Sequence, residues 1–464
     1  MSWIVRREDG SLRSALYVIV LVVGCSDVFS SAKSVSSAKS RADSSEQAAG
    51  LASRPPAEAA AAAASVRPPE AANVLEHPAA FGRFFESLAR LEAGQMQDDV
   101  RIVQFGDSHT AADIETAVVR QALQARFGDG GRGFVAIGKP WKGYRQDGVR
   151  GGMSSGWFSE RGKLDHGQFF GDGLYGLAGI GVASNGQSAR AWADCTVPAN
   201  RVELAYLEQP HGGSFDVFID GTRLGRISTR AKHEGSAYRS FDIAESTAYR
   251  VEVRNVGDGN VRIFGVSLDR SQNGVVFDAL GINGARVTTC LQWNEPHWVE
   301  QLRHRSPSLV VLSYGTNEST NESMSVDTYE GQLVDVLGRI ARAVPSASCL
   351  LLGPPDRAVP DGTGGWITSS KLLEIIASQK RVAQAAGCAF YDQFQAMGGA
   401  GTMATWSTED PPRAQRDRVH LTRDGYTQLG GLFASDVMRA YDAFRRDRGL
   451  APTSAPLPSA TSEP

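Results

Sequence analysis

Apolar positions first gather at Val100, Ile102, Val103 and Phe105, a short run that reads as a buried strand. The period then lengthens to that of a helix, with Ile114, Val118, Ala122 and Ala125 along one side. A short helix over about 79–91 precedes this pair. The same alternation resumes at Val275. The run from there extends to Ala285, and strands are predicted over 309–312, 349–352 and 388–391. Helices are predicted near 297–303 and over about 326–344, 370–386 and 424–446. Strands alternating with helices predict a parallel sheet covered on both faces, an α/β three-layer, flavodoxin-like arrangement.

Between these two blocks the pattern changes. From about 171 to 269 the apolar runs are short, β-branched and aromatic, as in Val202-Glu203-Leu204-Ala205-Tyr206-Leu207, Phe215-Asp216-Val217-Phe218-Ile219 and Tyr249-Arg250-Val251-Glu252-Val253. Turns such as Asp220-Gly221 and Gly257-Asp258-Gly259 separate them. Closely spaced strands without a helical period predict an inserted antiparallel β-sandwich, jelly-roll-like, as a separate module. The expected organisation is a signal segment (1–24), a Ser/Ala/Pro tether (25–73), an α/β first part (74–150), the insert (151–270), an α/β second part (271–448) and a disordered tail (449–464).

Two glycine motifs match well-known patterns by letter only. Gly128-Asp129-Gly130-Gly131-Arg132-Gly133 fits G-x-G-x-x-G but follows a helix instead of opening one, so it reads as a helix stop and turn. Gly152-Met153-Ser154-Ser155-Gly156 fits G-x-S-x-G, yet no buried strand leads into it, as a nucleophile elbow requires.

Composition narrows the function. The chain has 464 residues, 48 Lys and Arg against 51 Asp and Glu, and a net charge of -3, so it offers no basic field for nucleic acid. Arg6, Arg7 and Arg13 precede an apolar stretch over 15–23, too short for a transmembrane helix and shaped as an export signal. It ends in Val22-Val23-Gly24-Cys25, which resembles a bacterial lipobox with Cys25 as the lipidated residue. The expected location is therefore the bacterial cell envelope, held by a lipid anchor alone, or secreted. Cys195, Cys290, Cys349 and Cys388 remain, an even number that permits disulfides. Cys349 and Cys388 open successive predicted strands and are candidate neighbours, with four buried thiols as the other reading. No CxxC, HxH or HExxH spacing occurs, so neither a metal nor another cofactor is expected.

In α/β folds reacting groups gather at the carboxyl ends of strands. Four polar groups fall there: Ser108 in Gly106-Asp107-Ser108-His109, the Asn283-Gly284 turn, Asn317, and the Asp417-Arg418-Val419-His420 loop. Each has a plausible task. Ser108 is a nucleophile once a base takes its proton, His420 is such a base, and Asp417 can orient the imidazole. The backbone N–H groups of Ser108 and Gly284 and the amide of Asn317 are candidate oxyanion donors.

These blocks, in this order, resemble the SGNH (GDSL-type) hydrolases: Gly106-Asp107-Ser108-His109, Gly284, Gly315-Thr316-Asn317-Glu318, and 417–420. His109 stands where the family's name motif has Leu, and Glu318 where the third block often has Asp. Further features resemble the exported peptidoglycan O-acetylesterases. They are Thr110-Ala111 after the first block, Gly128-Asp129-Gly130-Gly131, Met397-Gly398-Gly399 with Trp406, and His420-Leu421-Thr422 before Gly425-Tyr426. The resemblance implies a serine esterase removing O-acetyl groups from a glycan, with Ser108, Asp417 and His420 as triad and Ser108, Gly284 and Asn317 as oxyanion hole. An O-acetyltransferase on the same triad and a non-catalytic glycan-binding lipoprotein are the alternatives.

Overall fold

The computed structural model describes residues 74–162 and 171–450. The expectations for the signal segment, Cys25 and the tether fall outside them, as does the tail beyond Leu450. Five strands form the parallel sheet, in spatial order Ala389–Tyr391, Ser348–Leu352, Leu309–Ser313, Val100–Gly106 and Val275–Gly281. Side chains alternate between its faces. Val103, Val310 and Leu351 pack under the helices Glu295–Arg305, Val326–Ala343 and Ser370–Ala386. Ile102, Val311 and Leu350 pack under Gly82–Glu92, Glu115–Phe127 and Arg423–Asp447. Both faces are covered, which is why these strands read as nearly unbroken apolar runs.

One edge strand was not legible: Leu75–Glu76 pairs antiparallel with Ala389–Tyr391. Two residues carry no detectable period, and the chain turns straight into the short helix Pro78–Phe81. The chain runs outward from Val100–Gly106 to Val275–Gly281 and returns on the other side at Leu309–Ser313. That reversal opens a crevice at the carboxyl ends of these three strands.

The intervening segment forms two antiparallel sheets. One orders Thr222–Ser228, Ser214–Ile219, Tyr249–Asn255, Arg190–Cys195 and Val149–Met153. The other orders Gly235–Ser246, Ala199–Glu208, Val261–Asp269, Ile180–Ser184 and Trp157–Arg161. Val202, Leu204, Val217, Val251 and Ile263 are buried together between them. Phe134, Leu207 and Phe264 are buried in the same cluster as Phe105 and Trp298, so the sheets share apolar packing with the α/β body.

The glycine-rich segment after the second helix departs from the reading as a turn. Gly131–Val135 is a strand paired with Val261–Asp269. Gly131 has a φ of 118°, and a Cβ there would lie 2.6 Å from the Asp269 Cα, so only glycine permits this approach. A strand needing that much glycine lacks the apolar alternation by which strands are recognised. The antiparallel pairing thus begins at Gly131, ahead of the boundary at 151. The G-x-S-x-G stretch links strands of the two sheets, and Ser154 Oγ accepts from Arg190 N at 2.8 Å. Cys349 and Cys388 form a disulfide joining the starts of adjacent parallel strands, and Cys195 and Cys290 are buried thiols.

Candidate active site

Ser108 stands one residue past the Asp107 that follows the central strand. Asp107 caps the short helix Ser108–Ala111 by accepting from His109 N at 2.9 Å. A carboxylate therefore does the capping, and the Ser108 hydroxyl is left for other work. The helix that opens at Ser108 does not run on into the one that carries the Val118 period. The helix ends at Ala111, Asp113 takes a φ of 47°, and a second helix runs Glu115–Phe127. The cause is the buried Asp113 carboxylate. It accepts from Thr116 Oγ1 and Asp147 N, each at 2.6 Å, and pairs with Arg132 and Arg120. Burial works against its ionisation, but the two guanidiniums and these donors hold it below the usual carboxylate range.

The last block approaches from the other end of the chain. Asp417 Oδ1 accepts from the N–H groups of Val419 and His420, both at 3.0 Å. Its Oδ2 meets His420 Nδ1 at 2.7 Å. With Nδ1–H donated to Asp417, Nε2 is the acceptor, and Ser108 Oγ lies 2.9 Å from it. Partial burial works against the Asp417 charge, yet the His420 ring and the two backbone donors hold the carboxyl below its ordinary value. The loop is shaped by Gln415 N donating to the His420 carbonyl at 2.8 Å and by a positive φ of 55° at Arg418. Below it Met397, Met403, Trp406, Leu421 and Tyr426 form a small apolar core. Met397, Trp406, Leu421 and Tyr426, singled out by resemblance, thus support the loop from beneath.

The Gly284 and Asn317 blocks converge on the same crevice. Gly284, with a φ of 72°, is the third residue of a turn closed by Ala285 N donating to the Ile282 carbonyl at 3.0 Å. Asn317 Nδ2 donates to the Ala285 carbonyl at 2.9 Å and has a longer 3.4 Å contact to Asp107 Oδ2. Glu318 binds the two blocks together, since its carboxylate accepts from Val287 N at 2.7 Å and Gly315 N at 3.0 Å. Burial pushes its pKa up, and it pushes that of Asp107 to about 8.

His109, the departure noted beside Ser108, is buried with its ring 5.6 Å from that of His420. Its Nδ1 shares a 3.0 Å hydrogen bond with Tyr426 Oη. Burial, aided by the neighbouring imidazole, drives its pKa down to about 3, so it stays neutral. The sequence offered no signal for this pairing, because 317 positions separate the partners. Among the described residues no cluster of His, Cys, Asp and Glu could hold a metal ion. A hydroxyl, an imidazole and a carboxylate in series can move a proton off the hydroxyl while charge develops on the imidazole.

Fold and crevice define a serine hydrolase of the α/β type. The sequence over residues 245–428 matches the model of the GDSL-like lipase/acylhydrolase family, and this likeness supports a serine esterase. The matched span contains Gly284, Asn317, Asp417 and His420 but not Ser108, which the antiparallel strands separate from them in sequence. A solved structure of a peptidoglycan O-acetylesterase is 25% identical, with a TM-score of 0.66 over 80% of this chain and 100% of that one. Family two carbohydrate esterases from Clostridium thermocellum and Cellvibrio japonicus also match. They are 10% and 11% identical over 58% and 63% of this chain and 95% and 98% of theirs. Their TM-scores of 0.24 and 0.25 carry no weight for the site. No curated protein matches.

Proposed function

We propose that this protein removes O-acetyl groups from a carbohydrate polymer, peptidoglycan foremost, through an acyl-enzyme on Ser108. The observation that carries the reading is the unbroken relay from Ser108 Oγ through His420 to Asp417, at 2.9 and 2.7 Å. The choice of substrate rests on the likeness to the peptidoglycan O-acetylesterase.

In this mechanism His420 Nε2 takes the Ser108 proton as Oγ attacks the acetyl carbonyl carbon, and Asp417 stabilises the imidazolium. The oxyanion is received by the N–H groups of Ser108 and Gly284 and by Asn317. The Asn317 bond to the Ala285 carbonyl fixes the amide plane. Its other N–H, held only by the 3.4 Å contact to Asp107, is the one an oxyanion draws away. Collapse breaks the ester bond, and the imidazolium returns the proton to the leaving sugar hydroxyl. Water then attacks the acyl-enzyme by the same relay, releasing acetate and restoring the serine.

Transfer of the acetyl group to a second sugar would need water kept from the acyl-enzyme. The side chains of His420 and Asp417 are 36% and 46% exposed, which favours hydrolysis. Cys25 and the export signal complete the proposal as an envelope lipoprotein or a secreted form. Among the described residues no helix is long and apolar enough to cross a membrane. The test is acetate release from O-acetylated peptidoglycan by wild type and Ser108→Ala, with and without an acceptor saccharide. Acetate from wild type alone supports the reading, and acetyl recovered mainly on the acceptor overturns it in favour of transfer.

A further inference from the structure

Between the strand Ser348–Leu352 and the helix Ser370–Ala386 the chain does not cross over directly. It forms a two-stranded hairpin, Ala358–Pro360 paired with Trp366–Thr368. Resting on the glycan-ester reading above, we propose that this hairpin is a sugar-binding platform beside the reacting groups, with the Trp366 indole as the surface on which a pyranose ring of the substrate lies.

The hairpin is anchored to the site at several points. Ala358 N donates to the Arg418 carbonyl at 3.1 Å, within the loop that carries Asp417 and His420. Arg357 Nη1 reaches the Ser319 carbonyl at 3.3 Å, just beyond the Asn317 block. At its base the buried Asp356 accepts from Thr368 Oγ1 at 2.8 Å and from Met403 N at 2.9 Å. Even the tip is tied, because Asp361 Oδ1 accepts from Thr363 N at 2.7 Å and Gly365 N at 2.8 Å.

Although firmly held, the hairpin leaves an indole in solvent: Trp366 is 39% exposed. The Arg418 guanidinium, two residues before His420, stacks 3.9 Å from the centre of that ring. This stack fixes the ring relative to His420 and leaves aromatic surface for the C–H face of a sugar, whose hydroxyls stay in water. An aromatic ring held still beside a reacting group supplies contact area at little entropic cost. Such a platform acts on a saccharide, and a small acyl ester with no sugar ring has nothing to lay on it. Ile367 is also exposed but, next to Trp366 in the strand, points to the opposite side of the hairpin.

The experiment compares O-acetylated peptidoglycan with p-nitrophenyl acetate as substrates for wild type, Trp366→Ala, Trp366→Phe and Ile367→Ser. Platform loss in Trp366→Ala lowers the ratio of the two kcat/KM values by roughly 5- to 10-fold, mainly through the glycan KM. Trp366→Phe restores most of it, and Ile367→Ser leaves both activities within about twofold. If both substrates lose kcat together in Trp366→Ala, the ring only props the His420 loop and the proposal falls. It falls equally if the ratio does not move. Wild type that cleaves the small ester but frees no acetate from the glycan instead overturns the substrate reading itself.

Discussion

The two halves of the candidate site are built differently. Ser108 is carried by a strand buried at every position but Arg101 and flanked by buried groups, Asp107, His109, Thr110 and Asp113. Thr110 Oγ1 even accepts from the core Gln104 at 2.9 Å. His420 and Asp417 sit on a loop at the surface, braced by the small core beneath it, by the 358–368 hairpin and by bonds within the loop. The Ser108 hydroxyl is thus placed by the folding of the whole body, and the His420 imidazole by local chemistry. A reaction that needs atoms placed to a fraction of an ångström tolerates the second arrangement only because the loop binds back on itself.

The sharpest way to break this comparison is to remove either end of the relay. Ser108→Ala and His420→Ala should each lower kcat on a short-chain p-nitrophenyl ester by at least about 10³-fold. Thermal melting should stay near that of wild type. Asp417→Asn should cost about 10²- to 10⁴-fold in kcat with folding intact, since an amide favours the wrong imidazole tautomer. A rate within tenfold of wild type would mean that the loop orients His420 without its carboxylate.

Reduction of Cys349–Cys388 should lower stability by about 2–4 kcal/mol in denaturant unfolding, the usual range for a disulfide. That bond joins the amino-terminal ends of the strands, opposite the crevice, so kcat of the folded protein should not change. Glu318→Gln should destabilise by about 1–3 kcal/mol, because an amide N–H₂ would face one of the two backbone donors now bound by the carboxylate. It should also slow kcat by about tenfold as the Gly284 and Asn317 blocks lose register. Loss of stability without any loss of kcat would separate the two roles.

The smallest effect tests the buried half through pH. The folded-state pKa of His109 lies near 3, below its unfolded value of 6.5, so the unfolded chain binds the proton first. Its contribution is present above pH 6.5 and is lost as the pH falls toward 3. His109→Gln should therefore gain about 1–2 kcal/mol relative to wild type between pH 7 and 5 in urea unfolding. The comparison between variants cancels the opposite slopes of Asp107 and Glu115, whose pKa values burial raises to about 8 and about 7. A difference that does not vary with pH would mean that His109 has the same pKa in the folded as in the unfolded chain.

Legibility followed periodicity. Long amphipathic helices such as Ser370–Ala386 and the buried strands were visible because burial writes a period of 3.6 or 2 into the sequence. Gly131–Val135, the break at Asp113 and the edge strand Leu75–Glu76 were not, because each depends on a partner distant in sequence. The apolar sandwich strands were visible as strands, but their distribution between two sheets was not.

The same distinction holds at the site. Sequence by itself determined which chemical groups the chain owns and their order along it, because a serine after a buried strand and an Asp-x-x-His before a helix are local patterns. Tertiary structure alone decided that Ser108 and His420, 312 positions apart, meet at 2.9 Å. It likewise decided that Asp107 and not Ser108 caps the helix, that Asn317 is tethered to Ala285, and that Arg418 lies on Trp366. The physical reason is that a hydrogen bond or a stacked pair depends on distance and angle in space, and these exist only after the sheet has brought its strand ends together.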